Sequence, residues 1–333
     1  MKIAVFSTKS YDRQYLGADG ILHGHTLVFF DARLTAQTAG LAKGCEGVCA
    51  FVNDRLDAEV LAAGGTRLVA LRCAGYNNAD LAAAAMHKLT VVYVPGYSPH
   101  AVAEHTIALL LALNRHIHQA SVRVRRGNFS LGGLMGFDLN RKTCGLVGTG
   151  RIGTITGQIM QGFGCRVLAN DPFPSAEAKA AGFNFCEMDE LLARSDVVSL
   201  HCPLVPATRH IVNAASLALI KPGAILINTS RGGLIDTPAL IEALTSGRLL
   251  GAGLDVYENE AEFFYEDHSD HPLADPLLSR LIALPNVLLT GHQGFLTHEA
   301  LSDIAKTTFQ SINDFAAGRP CAHALRAEPA PAT

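Results

Sequence analysis

At 333 residues the chain exceeds what one hydrophobic core comfortably serves, so two domains are expected. A net charge of −3 offers no basic stripe for nucleic acid, and 49% hydrophobic against 17% charged residues suits two sizeable cores. MKIAVFS has too short an apolar run for a signal peptide, and the longest uninterrupted one, Ile107–Leu113, is far below the ~20 residues of a membrane span.

In chain order, KIAVFS, TLVFFD, GVCAFV, RLVALR and TVVYVP read as five strands within the first 95 residues. Their continuous apolar character predicts strands covered on both faces, as in parallel sheets. Ser98-Pro99 then opens a long helix, serine as N-cap and proline at the first helical position, with the apolar interior AVAEHTIALLLALNRHIH. Gly and Asn between 127 and 140 predict a connection. A second strand–helix series follows: TCGLVG, RVLAND, DVVSLH, AILINT, LLGAGLDV and VLLTGH. The expected architecture is α/β, two doubly wound Rossmann-like domains. The eight cysteines form no CxxC pair and read as reduced, buried thiols of a cytoplasmic protein. AEPAPAT, 327–333, reads as a frayed tail.

GLVGTGRIG supplies Gly148-x-Gly150-x-x-Gly153. Alone this pattern is weak, and a plain glycine turn is the competing reading. Here it follows a strand, opens a helix at Arg151, and precedes a second strand ending at Asp171, 21 residues past Gly150. That is where a dinucleotide fingerprint places its acid. The glycines let the backbone approach a pyrophosphate at the helix N-terminus. Asp171 would accept from the ribose hydroxyls and repel a 2′-phosphate, which predicts NAD rather than NADP.

Three charged residues follow strand ends, where open α/β sheets bind ligands: Arg231 in INTSRGGLID, Glu260 in GLDVYENE and His292 in VLLTGH. Each alone is most simply a surface charge. Together they supply what carbonyl reduction needs. Arginine's planar fork holds a carboxylate, histidine gives and takes a proton near neutrality, and a carboxylate beside it favours the imidazolium.

These motifs resemble the D-specific 2-hydroxyacid dehydrogenase family almost from end to end, most closely its bacterial fermentative D-lactate branch. RCAGYNN, GNFSL and FFYEDHSD carry the narrower match. The resemblance implies pyruvate reduction to D-lactate with NADH, reversible, in which Arg231 binds the 2-oxo acid, His292 is the acid/base and Glu260 its partner. It further implies that backbone N–H groups at Ala74 and Gly75 hold the substrate carboxylate in a cleft between the domains, with Tyr97 and Phe295 walling the pocket. The dinucleotide would meet Gly148, Gly150, Arg151, Ile152, Gly153, Asp171, Cys202, Pro203, Thr208, Thr229, Ser230, Arg231, Asp255, His292 and Gly294. The family's substrate domain is discontinuous, here 1–98 plus 299–333, with the NAD domain at 99–298 between. A homodimer or dimer-based tetramer would form through the NAD domain, with the helix near 99–118 at its interface. Alanine is commoner in relatives at Gly96, Gly233 and Gly294, and the last departure bears on how firmly the histidine loop is held.

Other readings compete. His23-x-His25, His116-x-His118 and the pair His268 and His271 lack a third ligand at a metal-site spacing, so no metal is expected. His105 reads as a packed or interface residue, Cys202 as a backbone contact, and the acidic segment 258–270 as a solvated loop apart from Glu260. A dinucleotide-sensing binding protein would need none of the three charged residues. Glyoxylate, hydroxypyruvate or larger 2-oxo acid reductases would share all three.

Overall fold

The computed structural model describes residues 1–63 and 65–326, so the tail read at 327–333 lies outside it. The chain divides into two compact units, Met1–Ser98 with the segment from Leu296 onward, and Pro99–Phe295.

In the first unit the five apolar runs form β1 (Lys2–Val5), β2 (Thr26–Phe29), β3 (Gly47–Ala50), β4 (Leu68–Leu71) and β5 (Thr90–Val92). All pair in parallel, in the order β5, β4, β3, β1, β2. A short antiparallel pair, Ala324–Leu325, joins at β5; two residues carry no periodic signal, and the sequence did not announce it. β3 and β4 are buried at every residue, as their unbroken apolar runs require. The helix His298–Ala316, capped by Thr297 accepting from the Ala300 amide, brings Ala305, Phe309 and Ile312 into one core with Ile3, Val5, Leu16 and Leu68. Side chains the size of Phe309 or Ile312 contribute about 1.5–3 kcal/mol each when fully buried.

The second unit holds β6 (Thr143–Val147), β7 (Arg166–Asn170), β8 (Asn184–Phe185), β9 (Val197–Leu200), β10 (Ala224–Asn228), β11 (Leu249–Leu254) and β12 (Val287–Leu289), all parallel. Their order is β12-β11-β10-β9-β6-β7-β8. The chain runs outward one way from β6 and the other way from β9, so the crevice past these two strand ends is the topological switch point. Both units are thus doubly wound sheets, parallel except for the short pair at β5.

The helix predicted from Ser98 through His118 is two helices, Pro99–Asn114 and Ile117–Arg125. His116 between them has φ +50°, the left-handed region, which no α-helix continues through. Asn114 explains the stop. Its side chain donates to the Phe137 carbonyl at 2.8 Å and accepts from the Phe137 amide at 3.0 Å, clamping the 127–140 connection against the helix end. Pro99–Asn114 buries Ala103, Ile107, Leu110 and Leu113, whereas Ile117–Arg125 buries none of its residues. No helix among the described residues is long and apolar enough to cross a membrane. All eight cysteines are free, and six are buried.

Candidate active site

Three neighbouring strands end in register, Asn228 beside Leu254 and Leu254 beside Leu289. Arg231, Glu260 and His292 follow these ends, so the topology puts all three at one edge of one sheet. His292 sits at φ +54°, a left-handed backbone that turns its ring out of the strand direction. Its Nδ1 lies 2.7 Å from Glu260 Oε1. A carboxylate only accepts, so Nδ1 carries the proton and Nε2 is the nitrogen left for other work. The second oxygen of Glu260 accepts from the Tyr257 amide at 2.9 Å, and Tyr265 donates to the His292 carbonyl at 3.3 Å. Arg231 is half-buried, with Nη1 donating to the Ser230 carbonyl at 2.7 Å and its own carbonyl accepting from the Asn228 side chain at 2.9 Å.

The loop beneath the imidazole is held by a buried acid. Asp255 Oδ1 accepts from Thr290 Oγ1 at 2.5 Å and from the Gln293 amide at 2.9 Å, while Oδ2 accepts from the Gly294 amide at 2.7 Å. With its hydroxyl proton given to Asp255, Thr290 accepts from His105 Nε2 at 3.1 Å, and the same nitrogen lies 3.3 Å from Asp255. Burial pushes the Asp255 carboxyl up, yet the hydrogen bonds from His105, Thr290 and the Gln293 amide outweigh it and hold the group below the usual carboxylate range. His105, read from sequence as a packed or interface residue, is therefore part of this anchor. Nothing in its local sequence pointed to a partner 150 residues on. At Gly294 an added Cβ would lie 3.0 Å from Asp255 Oδ2, so the glycine seats its amide on the acid without crowding.

Each fingerprint glycine has its own physical reason. Gly148, at φ +95°, turns so close to the β9 end that a Cβ would stand 2.6 Å from the Cys202 nitrogen. At Gly153 a Cβ would meet the Gly148 carbonyl at 2.2 Å, so only glycine lets the helix Arg151–Gly162 approach its strand. Gly150, the N-cap, has nothing within 4 Å of where its Cβ would be, and no side chain caps the helix. Arg151 and Ile152 form the first turn beside that open space. Asp171 follows β7 with Oδ2 accepting from the Thr149 amide at 2.6 Å and hydroxyl at 2.9 Å, and Oδ1 from the Phe173 amide at 2.8 Å. Burial raises its carboxyl, but these bonds prevail and keep it low, hence charged.

Around the switch point, Cys202 is buried and its thiol is pushed up to about 11 by burial, which leaves no thiolate nucleophile near neutrality. Its carbonyl accepts from Ser230 Oγ at 2.7 Å, Pro203's from Thr208 Oγ1 at 2.6 Å, and Thr229 bonds Thr106 at 2.7 Å. Phe295 is buried in the same unit. Ala74, Gly75 and Tyr97 belong to the first unit, half-buried past the ends of β4 and β5, with the Cys73 thiol donating to the Gly75 carbonyl at 3.2 Å.

The acidic segment 258–270 is not uniformly solvated. Glu258 accepts from His210 Nε2 at 2.6 Å and Arg209 Nη2 at 3.0 Å. Among the described residues no group of three or more His, Cys, Asp or Glu is placed to hold a metal ion. His23 and His25 instead flank the Asn313 side chain, at 3.0 and 2.8 Å.

Residues 107–294 match the family described as D-isomer specific 2-hydroxyacid dehydrogenase, NAD binding domain. A 2-hydroxyacid dehydrogenase homolog of Zymomonas mobilis is 50% identical over 330 residues, covering 98% of this chain and 100% of that protein. The D-lactate dehydrogenase of Escherichia coli is 49% identical over 328 residues, covering 98% and 100%. Among solved structures, the pyruvate reductase of Chlamydomonas reinhardtii superposes with a TM-score of 0.92 at 44% identity, covering 97% of this chain and 98% of that one. With half-identical relatives along nearly its whole length, the chain belongs to the D-isomer-specific 2-hydroxyacid dehydrogenase family, and its second unit carries the NAD-binding domain of that oxidoreductase family.

Proposed function

We propose that the chain reduces pyruvate to D-lactate with NADH, reversibly. The observation that carries the proposal is the 2.7 Å contact of His292 Nδ1 with Glu260, with Arg231 following the neighbouring strand of the same sheet. The similarity to the D-lactate dehydrogenase of E. coli and the pyruvate reductase of C. reinhardtii supports this choice of substrate.

The residues present fit the dinucleotide. The open space at Gly150 and the uncapped N-terminus of a 12-residue helix suit a pyrophosphate, and the charged Asp171 suits ribose hydroxyls. When bound, the reduced nicotinamide supplies hydride to the substrate carbonyl carbon. Arg231 grips the substrate carboxylate and orients its carbonyl. His292, proton-bearing at Nδ1 through Glu260, donates from Nε2 to the carbonyl oxygen as that oxygen gains charge. Glu260 stabilises the imidazolium before the transfer, and lactate oxidation runs the same proton path backwards. In this reading the enzyme is a dimer formed through the second unit, covering the half-exposed Ile117, Val122 and Val124; sedimentation as a single protomer would remove that part.

A panel of pyruvate, glyoxylate, hydroxypyruvate, 2-oxobutyrate and phenylpyruvate with NADH tests the substrate, with chiral analysis of the product. Pyruvate should give the highest kcat/KM and the D isomer. A clear preference for glyoxylate or phenylpyruvate moves the chain to another branch, and cofactor binding without turnover would make it a sensor. Asp171→Ala should narrow the preference for NADH over NADPH roughly 10-fold, since like charges near 4 Å repel by ~1 kcal/mol in water and more when partly buried. Equal use of both cofactors by the unaltered chain would mean that Asp171 does not face the ribose.

A further inference from the structure

Two glutamates, Glu258 and Glu260, lie on one turn after β11, and either could compete for the nearby imidazole. The structure separates their duties. Glu260 turns to His292, while Glu258 Oε1 takes both His210 Nε2, at 2.6 Å, and Arg209 Nη2, at 3.0 Å. A guanidinium and an imidazole N–H on one oxygen of a side chain only 18% exposed form a clamp with a charge-assisted arm from Arg209, unlike an isolated surface pair. His210 itself stands at φ +50°, a strained backbone for a histidine, and its amide donates to the Gly233 carbonyl at 2.9 Å.

The clamp sits where the Arg231 and Glu260 loops touch. An added Cβ on Gly232 would fall 2.0 Å from the Tyr257 carbonyl carbon and 2.4 Å from the Glu258 nitrogen, so the loops meet backbone to backbone. The Tyr257 amide is the group that holds Glu260 Oε2, at 2.9 Å. The Tyr257 hydroxyl donates to Asp275 at 2.7 Å, fixing the buried side of the turn. Its outer side is held by Glu258, while Asn259 Nδ2 reaches Asp275 at 3.5 Å. Of the other titratable groups near the imidazole loop, Asp255 and His105 bind Thr290 and the amides of Gln293 and Gly294, not the ring, and the Tyr265 ring lies 6.1 Å from it, centroid to centroid.

We propose that Glu258, gripped by Arg209 and His210, is a positioning residue that keeps Glu260 on His292. The role rests on the reading that Glu260 charges the imidazole. Glu258→Ala should then resemble a weaker Glu260→Gln. The alkaline limb of pyruvate reduction should move to lower pH and kcat should fall roughly 10-fold, less than the 10²-fold a 1 Å misplacement can cost, with NADH affinity unchanged. Glu258→Gln keeps an acceptor oxygen and should restore most of the activity. His210→Asn, a residue that tolerates the left-handed backbone but is too short for the clamp, should repeat the alanine effect if Glu258→Ala fails to fold. In a Glu260→Gln background, Glu258→Ala should add less than about twofold, since the two act through one contact. If Glu260→Gln moves the limb while folded Glu258→Ala and His210→Asn leave it in place, the positioning role is overturned and the pairing stands. Full additivity in the double variant also overturns it. If Glu260→Gln itself leaves the limb unmoved, the pairing fails and the positioning role with it.

Discussion

Replacing His292 by alanine should slow pyruvate reduction by 10²–10⁴-fold, the order of magnitude a positioned acid/base supplies. NADH binding should persist, because the helix N-terminus and Asp171 are untouched. The companion variant Glu260→Gln tests how the ring is kept charged. A carboxylate beside an imidazole favours its protonated form, so removing the charge lowers the pH at which the donor is lost. The alkaline limb of the pH–rate profile should therefore move to lower pH, with modest loss where the ring stays protonated. A glutamine variant with the unaltered profile would leave His292 with another partner or another task.

Arg231→Lys keeps the positive charge and loses the planar fork. A bidentate grip on a carboxylate depends on that plane, so KM for pyruvate should rise and kcat fall together, by about 10²-fold in kcat/KM. Arg231 also stands at a constrained point, with Nη1 on the Ser230 carbonyl and its own carbonyl held by Asn228. A lysine has no planar fork to divide between that carbonyl and a carboxylate. Unaltered steady-state kinetics for the lysine variant would end the assignment.

The two sheets were legible because most of their strands are unbroken apolar runs, as cover on both faces requires, although β2 is only partly buried. β8 and the pair Ala324–Leu325 were not, since two residues hold no periodicity. The split at His116 was hidden for a different reason. The stop depends on Asn114 meeting Phe137, a contact made by folding and not by any local pattern. The same distinction runs through the site. Arg231 and His292 could be picked out because each follows an apolar strand, where a lone charge is conspicuous, whereas Glu260 had to be told from Asp255 and Glu258 in the same stretch. The support around them was invisible. Asp255 could be read as a lining residue, but not as the acid that seats three groups of the histidine loop and draws in His105. Glu258 looked like one solvated charge in an acidic run, because Arg209 and His210 lie almost 50 residues earlier.

The returning helix His298–Ala316 has a consequence for how the protein is made. The sheet of residues 1–98 is covered by Ala305, Phe309 and Ile312, which leave the ribosome only after the whole second unit, Pro99–Phe295, has been synthesised. At about 5–20 residues per second that interval of roughly 200 residues lasts on the order of 10–40 seconds. Throughout it, Ile3, Val5 and Leu68 lack part of the cover they have in the finished fold. The second unit has its entire sequence in one stretch and can close first. The nascent chain can thus close its nucleotide-binding unit before the sheet of residues 1–98 has its full cover.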